Sequence, residues 1–340
     1  MVLPSVEFIL YSIAYGSSLA LLCIGLTLTY MVTKVPNFAH ATLAVTGSAV
    51  TLILIDKVYH GMYGEGLYYT LYIVAPLVAF PLVGLLALAQ YLLILRPLAA
   101  RGVGVLGLMI STLAFDIILV NMLTLTLYML PSTYFGKLVG PSLKGFDAGV
   151  SIAGVNTFFS RLILPFIAIT VAIALHLFLT RTKFGIALRA SIENPSLARV
   201  LGINVDQAYM VSWFLAGGLA GISGSLVVFM FESFKPAVAS LVIVSVFAGS
   251  IVGGLGSIYG ALAGGFLVGF AEPMFVVVTQ NILSTLTGTP ITLTQYQRLF
   301  SLLVVIVTLL VAPQGLAGTD FRGLVARVIP GGVRRAPRAS

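Results

Sequence analysis

Charge is what this sequence has least of: 8% of its 340 residues are Asp, Glu, Lys or Arg, against roughly 25% in an ordinary soluble domain. With so few ionic groups and a hydrophobic fraction of 59%, the chain cannot clothe itself in a hydrated surface, and a soluble globule is excluded. A mean hydropathy of +1.10 says the same. Cysteine is nearly absent. Cys23 stands alone, which rules out an intrachain disulfide, and its place inside an apolar run makes it a small packing hydrophobe. His40, His60 and His176 are scattered through the chain, whereas metal binding or acid–base catalysis needs such residues gathered with thiols or carboxylates. The expectation is therefore no enzyme site, no metal and no cofactor. A G-x-x-x-x-G-K-[ST] phosphate loop is also missing; the nearest text, FGKLVG from Phe135, lacks the spacing. By that route the chain does not bind and split ATP itself.

What is present is a succession of apolar runs. Unpaired backbone groups are too costly in hydrocarbon, so spans must be helices or barrel strands, and runs of about 20 apolar residues select helices. The reading is an all-α integral membrane protein, a polytopic bundle of about nine transmembrane helices, some of them short or broken. The spans fall near 8–30, 40–55, 67–95, 105–130, 162–180, 208–230, 237–253, 259–280 and 298–312. The second and ninth are short for a crossing, and the third is long enough to tilt or bend at Pro76 and Pro81. The first run, with no Lys or Arg before it and longer than a signal-peptide core, reads as a retained helix. Residues 1–312 form one membrane domain with a loop at 181–207, and 313–340 a basic tail.

The formal charge of +8 does not indicate nucleic-acid binding, because the basic residues are spread over loops and tail. Placing the 181–207 loop in the cytoplasm puts there Lys34, Arg96, Arg101, Arg181, Lys183, Arg189, Arg199 and the tail's Arg322, Arg327, Arg334, Arg335 and Arg338. Lys57, Lys137, Lys144, Arg161, Lys235 and Arg298 remain outside. That two-to-one excess predicts an outside N-terminus and a cytoplasmic C-terminus. The tail GGVRRAPRAS fits either contact with anionic lipid or a partner, or an idle solubilising end.

The loop itself reads RTKFGIALRASIENPSLARVLGINVDQAY. Asn194 is an N-cap, Pro195 a first helical residue whose missing N–H is no loss, and Gly202 a left-handed stop, so a short helix is predicted over Pro195–Leu201. FGIALRASI before it carries apolar residues at helical spacing, giving a second amphipathic piece. The loop is a connector or a handle for a cytoplasmic protein.

Five stretches occur in order: VPNFAHATLAVTGSAV, LILRPLAARGVGVLGLMISTLAFDIIL, TKFGIALRASIENPSLARVLGIN, FLAGGLAGISGSL and FAGSIVGGLGSIYGALAGGFLVGFAEP. Together they resemble the permease subunits of branched-chain amino acid ABC importers, and NFAH resembles the LivH-type half of the permease pair. The resemblance implies a cell-membrane transport subunit working by alternating access. It implies as partners a second, LivM-type permease, two cytoplasmic ABC ATPases that use ATP and Mg, and an extracellular substrate-binding protein. In those terms Arg189, Glu193, Asn194, Arg199 and Gly202 mark the ATPase-coupling segment. Where relatives commonly have glycine and then a polar or acidic residue after NFAH, this chain has Ala41 and Thr42, and Asp116 replaces an expected small polar residue. Urea and short-amide permeases share much of the pattern, and a stand-alone channel or secondary transporter remains an alternative.

Polar and glycine breaks supply the candidate translocation path: Asn37, His40, Thr42, Ser111, Thr112, Asp116, Gly253, Gly254, Gly256 and Glu272. Pro36 restricts Val35 to extended geometry and opens a new segment, on which Asn37 and His40, three apart, share a helical face. Broken helices of this kind line transport pathways, and IVGGLGSIYGALAGG forms a second break. Its glycines, with Gly217, Gly218, Gly221 and Gly224, also suit close helix packing. His40 reads as a pathway ligand or as a histidine satisfied by a carbonyl. Asp116 lies roughly 16 Å into its span by helical rise, where a carboxylate needs a partner such as Asn121 or a group on another chain. Glu272, beside Pro273, is a weaker path candidate.

Overall fold

The computed structural model describes residues 4–58, 65–129, 147, 149–152, 155–230, 235–312 and 315–318. Its helices are α1 (Val6–Thr33), α2 (His40–Val58), α3 (Glu65–Gln90), α4 (Arg96–Ala100), α5 (Val105–Met129), α6 (Phe159–Arg181), α7 (Lys183–Glu193), α8 (Pro195–Val200), α9 (Val205–Val227), α10 (Ala239–Gly253), α11 (Ile258–Thr287) and α12 (Gln297–Val311). A π-helical turn, Tyr91–Leu95, joins α3 to α4. An antiparallel hairpin, β1 (Gly149–Ile152) with β2 (Val155–Phe158), pairs Gly149 with Phe158 and leads into α6.

Among the described residues, eight helices are long and apolar enough to cross a bilayer, and α2 contributes a shorter apolar helix, His40–Ile55. The chain is a multi-pass membrane protein. The third span continues through Pro76 and Pro81 and runs to Ala100, five residues beyond the predicted end; the π turn absorbs the change of register before Pro97. The tail beyond residue 318 and the segments 59–64 and 130–146 lie outside the described residues.

Two layers of unequal burial result. In α1 and α9, 78% of the span is inside the protein, whereas α5 is 17% and α6 22% buried. The inner helices approach closely because small residues line their contacts. A side chain at Gly224 would collide with the carbonyl of Ala44, one at Gly47 with that of Gly221, and one at Gly265 with the Ala20 backbone. Hydroxyls then bond across the shortened gaps: Ser18 to Ser223 at 2.7 Å, Ser48 to the Gly224 carbonyl at 2.7 Å, and Thr51 to the Ser225 carbonyl at 2.9 Å. Packing and interhelical hydrogen bonds replace the hydrophobic drive that lipid removes. Trp213 on α9, fully buried, stacks on Tyr91 at 5.5 Å.

Outer helices are tethered by a few polar contacts. Arg161 of α6 reaches Glu7 of α1 at 2.6 Å and lies over the rings of Tyr11 and Phe158. At the hairpin, buried Asp147 accepts hydrogen bonds from Tyr72 at 2.6 Å and from the Ser160 hydroxyl at 2.5 Å. Burial pushes its carboxyl above the ordinary range, against the pull of those bonds.

Candidate translocation site

Both predicted helix breaks exist, and they are built differently. After α1 the chain turns at Lys34, whose φ is +56°, and re-enters as α2 at His40. Asn37 lies before that helix instead of on its face. Its side-chain carbonyl accepts the Ala39 N–H at 3.1 Å, and its amide exchanges two hydrogen bonds with Gln90, at 2.9 and 3.3 Å. The expected shared face with His40 is thus corrected: Asn37 acts as a turn residue because its short amide satisfies backbone that has not yet become helical. Phe38 N–H reaches Thr112 Oγ1 at 3.3 Å, and Thr112 donates to the Met109 carbonyl at 2.8 Å.

In the first turn of α2, Thr42 donates to Asp116. This replaces the expected Asn121 partner, since the Asn121 amide bends back to the Ile117 carbonyl of its own helix at 2.7 Å. Asp116 therefore ties α5 to α2. Ser111 likewise bonds within its helix, to Leu108 at 2.7 Å. His40 is fully buried, packed on the Cα of Gly25, where any side chain would meet its ring. Neither ring nitrogen makes a geometrically good hydrogen bond, although the Leu22 backbone faces the ring.

The second break is a glycine turn. Gly254, with φ at +101°, ends α10, and Ser257 caps α11 by accepting the Gly260 N–H at 3.1 Å. Gly253 abuts the Gly260 carbonyl, so it has no room for a side chain. Gly256 faces open space. The path candidates Gly253 and Gly256, three residues apart, therefore meet opposite surroundings.

Glu272 anchors a cluster that reading the sequence missed. Its side chain is fully buried and pairs with Arg298 of α12. The same guanidinium nitrogen donates to Tyr15 Oη and to Ser245 Oγ, each at 2.9 Å, while Ser301 donates to the second Glu272 oxygen at 2.8 Å. α1, α10, α11 and α12 meet there. Arg298, counted on the outer side in the topology reading, is an interhelical cation at the start of α12. Its signal was available, since RLF after a polar QYQ starts a span, but without a fold no partner could be assigned.

Between α1, α2 and α10 lies a cavity of about 30 Å³. Leu19, Leu22, Ala44, Val45 and Val242 form its walls, with Ser18, Ser48, Tyr15 and Lys235 at the lining. It holds roughly two or three water-sized spheres.

The 181–207 loop folds as the capping residues require. Thr182 accepts the Gly185 N–H at 2.9 Å to begin α7, and Asn194 accepts the Leu197 N–H at 3.0 Å to begin α8. α8 ends one residue before the predicted Leu201, and Gly202 follows with φ at +80°. Leu197, Val200 and Leu201 are exposed on its tip, Val200 to 83%. Arg189 and Glu193 sit elsewhere: they line a crevice of about 370 Å³ with Met31, Leu179 and the start of α11.

Sequence comparison places these features in context. The family model described as "Branched-chain amino acid transport system / permease component" matches residues 8–310. A probable branched-chain amino acid transport permease protein LivH of Methanocaldococcus jannaschii is 40% identical over 92% of this chain and 92% of its own. The high-affinity branched-chain amino acid transport system permease protein LivH of Escherichia coli is 28% identical, over 90% of this chain and 93% of its own. A nucleoside ABC transporter permease protein NupC of Lactococcus lactis is similar over 20% of this chain. No solved structure gives a significant match.

Proposed function

This chain belongs to the permease-component family of branched-chain amino acid transport systems, and we propose that it is one transmembrane half of an ATP-driven importer for aliphatic amino acids. It is a transport subunit and not an enzyme. Two cytoplasmic ATPases, which bind the ATP and Mg, a second permease of the LivM type and an external binding protein complete the assembly, in the cell membrane with the C-terminus inside.

The observation that carries this reading is the α7–α8 hairpin. A short helix capped at both ends holds Leu197, Val200 and Leu201 outward beside Arg199. Apolar groups on a projecting tip favour a protein partner, because exposing them to water costs about 25 cal/mol per Å². Pushed by an ATPase, the tip would move α6 and α9, which flank the loop, and α9 packs on α1 and α2 around the aliphatic cavity. Opening that seam first to one side and then to the other is alternating access. Aliphatic walls suit a leucine-like side chain.

The test is Leu197→Asp with Val200→Asp in the reconstituted complex. Membrane insertion and permease pairing should persist, while ATP-dependent leucine uptake falls at least about tenfold, since placing a carboxylate in an apolar contact costs more than the roughly 1–3 kcal/mol of a neutral polar group. Normal uptake by the double variant would remove the coupling assignment. Uptake by wild-type chain without any ATPase would favour a stand-alone carrier.

A further inference from the structure

The crevice behind α7 has a chemistry that the coupling role does not use. Arg189 and Glu193, one helical turn apart, both line it. Among the described residues neither has an ion-pair partner, in contrast to Arg96, Arg161 and Arg298. Met31 of α1, Leu179 of α6 and Ile258 of α11 line the same crevice with apolar groups, beside Ser257 and Tyr259, and Gly256 leaves the adjoining turn open. The exposed apolar residues that suit an ATPase are on α8, so the crevice and the docking tip belong to different helices.

A cation and an anion spaced by one turn in a crevice with apolar lining complement one class of small molecule. A carboxylate meets Arg189 as a charge-assisted pair, an ammonium meets Glu193, and an aliphatic side chain meets the apolar lining. We infer that this crevice is a second binding site, for a zwitterionic aliphatic amino acid, at the end of the molecule that carries the α7–α8 loop. The inference rests on the amino acid importer reading for its biological sense: product that has crossed would bind against α7 and bias the helix that meets the motor. Its geometry stands independently of transport.

The test is equilibrium binding of tritiated leucine to the purified complex in nanodiscs without the external binding protein. Two competitors divide the contacts: 3-methylbutylamine lacks the carboxylate, and 4-methylpentanoate lacks the ammonium. Wild-type complex should prefer leucine over each by about tenfold or more, the weight of one charge-assisted contact. Arg189→Gln should weaken leucine to the level of the amine, and Glu193→Gln to the level of the acid, whereas Arg189→Lys should keep most of the preference. Both charged groups are exposed, so gel filtration of the intact complex suffices to check folding. Absent leucine binding, or binding whose ranking is unchanged in both glutamine variants, would overturn the site. ATP-dependent uptake, measured separately, decides the importer reading and is untouched by either result.

Discussion

Glu272 with Arg298 and Glu193 with Arg189 are both pairs of opposite charges set among packed helices, yet they have opposite fates. The first pair lies within the bundle: one Glu272 oxygen accepts from Arg298 and the other from Ser301, and the same Arg298 nitrogen also donates to Tyr15 and Ser245. The second lines an open crevice and, among the described residues, makes no ion pair. The difference teaches how a chain with so few charges distributes them. Inside, an ion is tolerable only when its partners are fixed, so it becomes part of the joint between helices. At the loop end, water carries the cost of keeping charges apart, and they remain free for a ligand.

The strongest way to break that comparison is Arg298→Met. It strands a fully buried carboxylate and should cost about 3–5 kcal/mol of stability, read as lost assembly or a sharply lower unfolding midpoint in detergent. Adding Glu272→Gln should restore part of the loss, because a neutral amide is cheaper to bury than an uncompensated ion. If Arg298→Met alone leaves the midpoint unchanged, the cluster is not a structural joint.

How much of this was legible beforehand follows from the reach of each signal. Local signals were readable: hydropathy marked the spans, and the residues Asn194, Pro195 and Gly202 fixed a helix to within one residue because caps act over three or four positions. Pairings across the fold were not. Asn37 meets Gln90, Asp116 meets Thr42, and Arg298 meets Glu272 at separations that depend on which helices pack, and no periodicity encodes that choice. The glycines show the same limit: their spacing predicted close approach, but only the fold separates Gly253, jammed on Gly260, from Gly256, where an added side chain would meet open space. Gln90 was hidden within a continuous apolar span, where a single amide looks like an interruption and not a partner.

A smaller effect is expected from the uncharged joint at the first break. Asn37→Ala leaves the buried Gln90 amide unsatisfied and removes the acceptor of the Ala39 N–H, at a cost of about 1–3 kcal/mol. Replacing both amides, as Asn37→Leu with Gln90→Leu, should be less harmful than the single alanine change, since two apolar groups leave no polar partner stranded there. Thermal unfolding of the two variants checks the order. A double variant worse than the single one would mean that the amides serve a path that must stay polar, which would raise Asn37 from turn residue to translocation residue.

The smallest structural effect is expected where the functional one is most specific. Arg189→Gln with Glu193→Gln removes both crevice charges, yet neither side chain is buried or ion-paired, so stability should change by less than about 0.5 kcal/mol, the range of surface substitutions away from packed features. The contrast with Arg298→Met combined with Glu272→Gln then becomes quantitative, because both charges of a pair are removed in each of two settings. Should the crevice variant unfold nearly as easily as the buried one, Arg189 and Glu193 would have to be holding α7 against α1 and α11, and the division between charges that join helices and charges that stay available would fail. Should it stay folded, any loss in amino acid preference is attributable to the charges themselves.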